Sequence, residues 1–488
     1  MSISPTPVER GTPAVLWTAA TAAAALGIPA SGAWTATGVC IDSRAVVAGD
    51  LFIALTGERT DGHAHVAAAL AAGASAALVS RIPAGIATDR LLVVEDTLEG
   101  LWALARASRA RFAGRLVGVT GSLGKTGTKE MLTQALGRFG RVHATEGNLN
   151  NHFGLPLTLA RMPVDTDLAV IELGMNHPGE LGPLARLARP HVAIITNVAA
   201  VHLEFFASVE AIADAKAEIL EGVEPGGTVV LNRDNRFFER LRRAAAARGI
   251  DKTLSFGNHI GADARVLDCA VDANGTAVFA LIGDDPLAYR MAVEGRHWAL
   301  NSLGVLAVVH ALGLDIHSAA NGLANVVPPR GRGRRQSVSL DGDGAVQVID
   351  DAYNASPESV IAALTTLSMT RPGPRGRRIA VLGDMLELGP QAAKLHADLA
   401  KISVERGIDL VYTAGPLMAH LHDALPASRR GGHAPDADAL TPLVLAALRP
   451  GDVVMIKGSK GSLVSRTVTA LLALDRRAEA GLSAADTP

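Results

Sequence analysis

The segment that most narrows the possible folds runs from Leu116 to Thr120, an apolar strand-like stretch that passes directly into Gly121-Ser122-Leu123-Gly124-Lys125-Thr126 and then a helical pattern from Thr128. A strand that breaks at a glycine-rich turn and restarts as a helix aims a row of backbone N–H groups off the helix start. Strand signals recur at Leu168 to Leu173, Val192 to Asn197 and Thr228 to Asn232, each closed by polar or glycine residues, with helical patterns between them. That alternation predicts a mostly parallel sheet covered by helices on both faces, with ligands beyond the carboxyl ends of the strands.

A chain of 488 residues exceeds one ordinary core, and about three domains are expected. The first, 1–114, reads as a small α/β unit with a strand at Leu51 to Leu55, a helix at His65 to Ala72 and a strand at Ala76 to Val79. The second, 115–328, built on the strand–turn–helix at 116–128, is expected to be a P-loop mononucleotide-binding domain. A junction at Val326 to Arg335 holds two prolines, two glycines and four arginines. In the third, 329–488, strands at Val346 to Ile349, Arg378 to Leu382, Leu410 to Thr413 and Val453 to Ile456 alternate with helices, which predicts a Rossmann-like α/β fold. The last dozen residues read as a frayed tail. The alanine-rich stretch Leu16 to Pro29 reads as a short amphipathic helix, because Glu9 and Arg10 precede it and Trp17 and Thr18 interrupt the pattern of a signal peptide.

Lys and Arg total 46 against 48 for Asp and Glu, a formal charge of -2, so no global basic field holds nucleic acid or an anionic membrane. No apolar run reaches the length of about 20 residues that spans a bilayer, and no membrane insertion is expected. The two cysteines, Cys40 and Cys269, are too few for a disulfide framework and fit a reducing, cytoplasmic compartment as inert core residues.

Several groups carry chemistry. Backbone N–H groups of the 121–126 turn attract anionic oxygens, Lys125 can reach the outer phosphates and the Thr126 hydroxyl can ligate Mg²⁺, a reading favoured over a glycine-rich βα turn that binds nothing. Val119 stands where the strict P-loop pattern has glycine. Glu172 ends one strand and His202 follows another, so a metal pair at that sheet edge competes with a plainer reading, a capping carboxylate and a satisfied loop histidine. Lys216 lies on a helical stretch, Val209 to Glu221, where a lysine is ordinarily solvated. Asn148, Asn150, Asn151 and Asn176 crowd two loops and serve equally as turn formers or as substrate contacts. In the third unit, polar groups at Asp350 to Asn354, Gly383 to Gly389 and Lys457 to Gly461 each follow a strand and suit a second wall around a ligand.

With these motifs assembled, the whole chain resembles the Mur ligase family across all three domains. Thr120 to Thr126 resembles the family's ATP loop, in which the position of Val119 is not glycine either, while Gly127 stands where the family usually carries Thr or Ser. The resemblance implies ATP contacts from Gly121, Ser122, Leu123, Gly124, Lys125, Thr126 and Gly127, with Asn301 at the adenine, Arg332 near the phosphates, and Asp351 and Tyr353 from the third domain. Around Asn301 the family's usual order is altered, since Trp298 follows His297. Lys216 falls where the family places a lysine carbamylated by CO₂; with Thr126, Glu172 and His202 it would complete a Mg²⁺ shell, two ions being expected. Catalytic roles are thereby implied for Lys125, Lys216, His202 and Glu172. Ser43 and Arg44, with Gly57-Glu58-Arg59 and Asp61-Gly62-His63, resemble the region that holds a UDP group. Asn148, Asn150, Asn151 and Asn176 resemble substrate-facing loops.

Asp351, Tyr353 and Asn354 match the third-domain motif of the branch that adds D-alanyl-D-alanine to UDP-N-acetylmuramoyl-tripeptide, with Ser356 in place of a frequent asparagine. The expectation is a monomeric ATP-dependent carboxylate–amine ligase working through an acyl phosphate. The alternatives are a sister ligase adding one amino acid and a folylpolyglutamate synthase-like enzyme.

Overall fold

The computed structural model describes residues 14–57, 60–201, 203–272, 275–340 and 344–485, the last ten of these by backbone only. The N-terminal unit is a parallel sheet of β1 (Gly38–Cys40), β2 (Asp50–Ile53), β3 (Ala76–Val79) and β4 (Leu91–Val93), in that order. Helix α1 (Thr97–Arg111) covers one face. Asp96 caps it by accepting from the N–H groups of Leu98 and Glu99 at 2.7 and 3.1 Å. The Trp17 indole donates to Ala160 O at 2.9 Å, tying this unit to the central one.

The central unit carries a nine-stranded sheet. Its parallel part contains β5 (Arg115–Thr120), β6 (Val142–Ala144), β7 (Leu168–Glu172), β8 (Val192–Ile195), β9 (Thr228–Asn232), β10 (Lys252–Gly257) and the start of β11 (Ala264–Asp272). Strands β12 (Gly275–Ile282) and β13 (Asp285–Met291) extend it as an antiparallel meander, giving the order β13-β12-β11-β10-β9-β8-β5-β7-β6. Val117, Val119, Val170, Ile171, Ile194 and Val230 are fully enclosed, as apolar runs sandwiched on both faces must be. Helix α2 (Lys125–Leu136) starts from the end of β5, α3 (Val209–Ala217) lies between β8 and β9, and α4 (Arg296–Ala311) packs against α2.

The third unit is a six-stranded sheet in the order β14-β15-β19-β16-β17-β18, with β14 (Arg334–Leu340) antiparallel to β15 (Gly344–Asp351). Strands β16 (Arg378–Gly383), β17 (Leu410–Ala414), β18 (Arg430–Ala434) and β19 (Val453–Lys457) are parallel to β15. It docks on the central unit at the junction, where Arg335 pairs with Glu294 at 2.6 Å, and at a loop where Glu204 N donates to Glu387 O at 3.3 Å.

Three expectations need correction. The helix expected to run to Glu221 ends at Ala217 and tightens into a 3₁₀ turn, Glu218–Gly222, because Glu218 turns to cap a neighbouring helix. The tail expected to fray continues the helix Ser465–Ala485 as far as that residue, in keeping with its alanine content, and 486–488 lie outside the described residues. Cys40 is buried, but Cys269 sits half-buried on the antiparallel extension rather than in a core; both are free thiols. The alanine-rich N-terminal stretch forms the helix Ala19–Leu26, burying Ala19, Ala22 and Ala23.

Candidate active site

The glycine-rich turn is shaped by backbone that excludes side chains. Gly121 has φ +148° and Gly124 φ +84°, and a Cβ on Gly121 would stand 2.1 Å from Thr196 Oγ1. The Thr196 hydroxyl donates to Leu123 O at 2.5 Å, and Ser122 N donates to Asn197 O at 2.8 Å, so the turn is pinned to the end of the adjacent strand. The Ser122 hydroxyl is spent on Ala199 O at 3.2 Å. Lys125 is partly open along its stem, but its amine curls inward to donate to Gly121 O at 2.7 Å. Burial pushes the pKa of that amine down, while the charge of Glu172 pulls it back up.

Glu172 is 1% exposed at the end of β7. Its Oε1 accepts from Asn150 Nδ2 at 2.8 Å, and its backbone N–H donates to Thr145 Oγ1 at 2.9 Å. Its Oε2 is buried with no partner, so it is not spent as a helix cap. Lys216 is not solvated: it is 1% exposed. Burial, reinforced by the charge of Lys125, holds its pKa well below the ordinary lysine value, against the weaker pull of Glu218, Glu172 and Glu180. Lys125, Glu172 and Lys216 therefore share one electrostatic neighbourhood. His202 lies outside the described residues.

Two cavities open on this edge. One, of about 540 Å³, lies between the central and third units and is lined by Leu123, Gly124, Thr126, Gly127, Asn301 and Arg332, with Asp351 on its far wall. The Arg332 guanidinium stacks 4.1 Å from the centre of the Tyr353 ring, which the Asn148 side chain also approaches. A second cavity, of about 340 Å³, is lined by Asn148, Asn150, Asn151, Asn176, Tyr353 and Asn354. Lys457 straps the two together, donating to Asp351 Oδ2 at 2.8 Å and to Asn354 O at 3.0 Å. Asp350 accepts from Gly331 N at 2.8 Å and so holds the junction loop in register.

Ser43 and Arg44 line neither cavity. They sit on a 3₁₀ turn capped by Asp42, and the 87% exposed Arg44 side chain pairs with Asp42 at 2.6 Å. The sequence reading also overlooked the acceptors that shape the Asn176 loop. Glu218 accepts from Gly179 N, Leu181 N and Gly182 N at 2.7 to 3.1 Å, and Glu180 accepts from Asn176 N at 2.8 Å. Nothing in local spacing marks Glu218, because its partners lie almost forty residues earlier in the chain.

Among the described residues no three His, Cys, Asp or Glu side chains converge as a metal cage. Mg²⁺ needs none, since it retains waters and takes one or two carboxylates together with substrate phosphates. The unpartnered Glu172 Oε2 and the Thr126 hydroxyl are hard oxygens of that kind, so the donor set fits Mg²⁺.

A phosphate turn shut between two α/β units, beside a polar cavity for a second reactant, is the layout of an ATP-dependent ligase, and comparison with known proteins bears this out. The Mur ligase middle domain matches residues 119–309, the Mur ligase glutamate ligase domain residues 333–460, and the Mur ligase family catalytic domain residues 35–109. The chain belongs to the Mur ligase family. It is 33% identical to the UDP-N-acetylmuramoyl-tripeptide--D-alanyl-D-alanine ligase of Rickettsia prowazekii over 93% of this chain and 99% of that protein. It is 34% identical to the ligase of the same name from Escherichia coli, over 90% of this chain and 94% of that one. Among solved structures, MurF from Acinetobacter baumannii superposes with a TM-score of 0.81 at 28% identity, covering 94% of this chain and all of that one. The MurF ligase of Thermotoga maritima, solved in complex with ADP, gives 0.74 at 29% identity, with 90% and 98% covered.

Proposed function

We propose that this ligase joins D-alanyl-D-alanine to UDP-N-acetylmuramoyl-tripeptide through an acyl phosphate, the last cytoplasmic peptide-adding step in building the peptidoglycan precursor. The observation that carries the reading is the Asp351-Tyr353-Asn354 motif, whose side chains divide between the two cavities while Lys457 holds them in place. Relatives bearing that activity in their name match this chain almost end to end, which favours it over a sister ligase adding one amino acid or a folylpolyglutamate synthase. The three units, 1–114, 115–328 and 329–488, then divide the work into holding the UDP group, binding ATP and closing over the reaction, with Ser43 and Arg44 on the first.

The 121–127 turn receives the triphosphate, Asn301 faces the adenine, and Arg332 with Tyr353 orients the tail from the third unit. A carboxylate oxygen of the tripeptide attacks the γ-phosphorus, and the bond from that phosphorus to the bridging oxygen breaks, releasing ADP and leaving an acyl phosphate. Lys125 neutralises charge on the transferring group. The amine of the dipeptide attacks the acyl carbon; the tetrahedral intermediate collapses with loss of phosphate and a proton, completing the amide. Asn148, Asn150, Asn151, Asn176 and Asn354 supply hydrogen bonds that orient both substrates, and closure by the third unit keeps water from the acyl phosphate.

Mg²⁺, two ions being expected, would neutralise the triphosphate when bound, and Thr126, Glu172 and His202 would hold it. A buried neutral amine at Lys216 can add CO₂ with loss of one proton, exchanging a cation for a carboxylate-like oxygen pair that joins this donor set. No helix among the described residues is long and apolar enough to cross a membrane.

The test is a competition. Purified protein, ATP and Mg²⁺ receive D-alanyl-D-alanine together with free amino acids and two UDP-linked acceptors, the dipeptide and tripeptide forms. The expected product is the UDP-linked pentapeptide with one ADP released per bond. Growth of the shorter acceptor by a single amino acid, with D-alanyl-D-alanine left unused, would overturn the assignment.

A further inference from the structure

Two positions where the chain departs from the Mur ligase pattern touch each other. Gly127 is the third residue of α2 and Trp298 the third of α4. A Cβ at position 127 would stand 3.1 Å from Cζ3 and 3.2 Å from Cη2 of the Trp298 indole. A Cβ on Gly295 would meet the neighbouring His297 ring, 2.7 Å from Cε1, and would reach Trp298 Cδ1 only at an ordinary contact distance of 3.7 Å. The indole therefore lies against backbone at 127 that carries no side chain to hold it off. One step along, a Cβ on Gly124 would stand 3.0 Å from Asn301 Nδ2. Positions 124 and 127 thus face 301 and 298, three residues apart on each chain segment, so a single face of α4 is laid along the phosphate turn and the first turn of α2.

Glycine is a poor choice within a helix unless a close approach requires it. Here the requirement is visible. Trp298 is 5% exposed and shares a core with Met131 and Leu303, so its ring has no room to retreat if residue 127 gains a side chain. Both residues also line the 540 Å³ cavity, in which His297 and Trp298 supply the only aromatic rings among the described residues.

We propose that Gly127 and Trp298 form one specificity-determining element of the nucleotide site, in which the indole walls the nucleoside of ATP and the bare backbone at 127 makes room for the ring. The hydroxyl absent from position 127 is then a condition of the indole's presence rather than a lost phosphate contact. Base-to-aromatic contact of this kind is tolerant of geometry and favours the larger purine. The inference rests on reading that cavity as the ATP site.

The experiment is isothermal titration of the full chain with a non-hydrolysable ATP analogue and with the corresponding uridine analogue. Trp298→Ala is expected to weaken the ATP analogue about tenfold and to narrow the preference over uridine. Gly127→Thr is expected to weaken it by a similar factor, but Gly127→Thr combined with Trp298→Ala should bind no worse than Trp298→Ala alone. That non-additivity is a coupling of about tenfold, ~1.4 kcal/mol. Losses that simply multiply in the double variant would overturn the proposal, as would an unchanged uridine discrimination in Trp298→Ala. If Gly127→Thr fails to fold by circular dichroism, Gly127→Ala, whose single methyl already meets the ring edge, completes the same cycle. Failure of the unaltered protein to bind the ATP analogue would instead refute the ATP-site reading itself.

Discussion

Replacing Lys216 by Met separates a catalytic lysine from a structural one, because the two roles predict changes of opposite sign in stability. The side chain is 1% exposed, and its amine feels the charge of Lys125 before those of Glu218, Glu172 and Glu180. In the unfolded chain the amine holds its proton up to its ordinary pKa of 10.5, whereas in the fold burial and the Lys125 charge drive the proton off at lower pH. Between those two values unfolding takes up a proton, so stability rises with pH across the window and is lost as pH falls through the folded value. Prepared free of CO₂, so that Lys216 is unmodified, the protein at neutral pH therefore carries the cost of an ill-matched buried amine, which methionine of similar length removes. An unsatisfied buried polar group costs ~1–3 kcal/mol. For a unit of about 150–250 residues each kcal/mol moves the melting point by about 2–4 °C, so Lys216→Met should melt about 2–12 °C higher near pH 7. The same variant should release almost no ADP in the presence of both substrates. Differential scanning calorimetry and a coupled ADP assay on one preparation decide the matter. A variant that melts lower while keeping its turnover would refute the reasoning, since Lys216 would then be supporting the fold and not the reaction.

Other outcomes follow from the same geometry. Lys125→Ala should cut turnover by about 10³-fold or more, and near-normal phosphate release with the dipeptide present would overturn the phosphate-loop assignment. Lys457→Met cuts the strap between Asp351 and Asn354, and should raise the KM for both ATP and the dipeptide, by about tenfold each; a change confined to one substrate would show that the cavities are independent. Stripping CO₂ from the buffer should lower activity, with a larger loss at lower pH because carbamate formation requires the neutral amine and releases a proton. Restoration by ¹³C-bicarbonate, with a carbamate signal assigned to Lys216, would be the confirming measurement, and indifference to CO₂ would sink the modification.

Much of the scaffold was legible because it is local. Most parallel strands of the central and third units announce themselves as short apolar runs closed by glycine or polar residues, though β6, β10 and β18 do not, and Gly121 to Thr126 carries its phosphate chemistry in consecutive residues. The meander Ala264 to Met291 escaped notice, since alternating exposure on a sheet extension leaves a weak apolar signal. Lys216 shows how far composition misleads: its helix reads as an ordinary amphipathic surface, and only the packing of α3 encloses the amine.

What the chain determined by itself was the presence of strand–turn–helix units and the phosphate turn, because backbone preferences and apolar periodicity act over a few residues. Tertiary structure alone decided that Asn150 would meet Glu172, that Glu218 would reach back to Gly179 and Leu181, and that Trp298 would lie across Gly127. Those contacts join segments tens to more than a hundred residues apart. They depend on which strand ends share an edge and which helices share a face, and that order is set by the packing of the whole sheet rather than by any stretch of sequence.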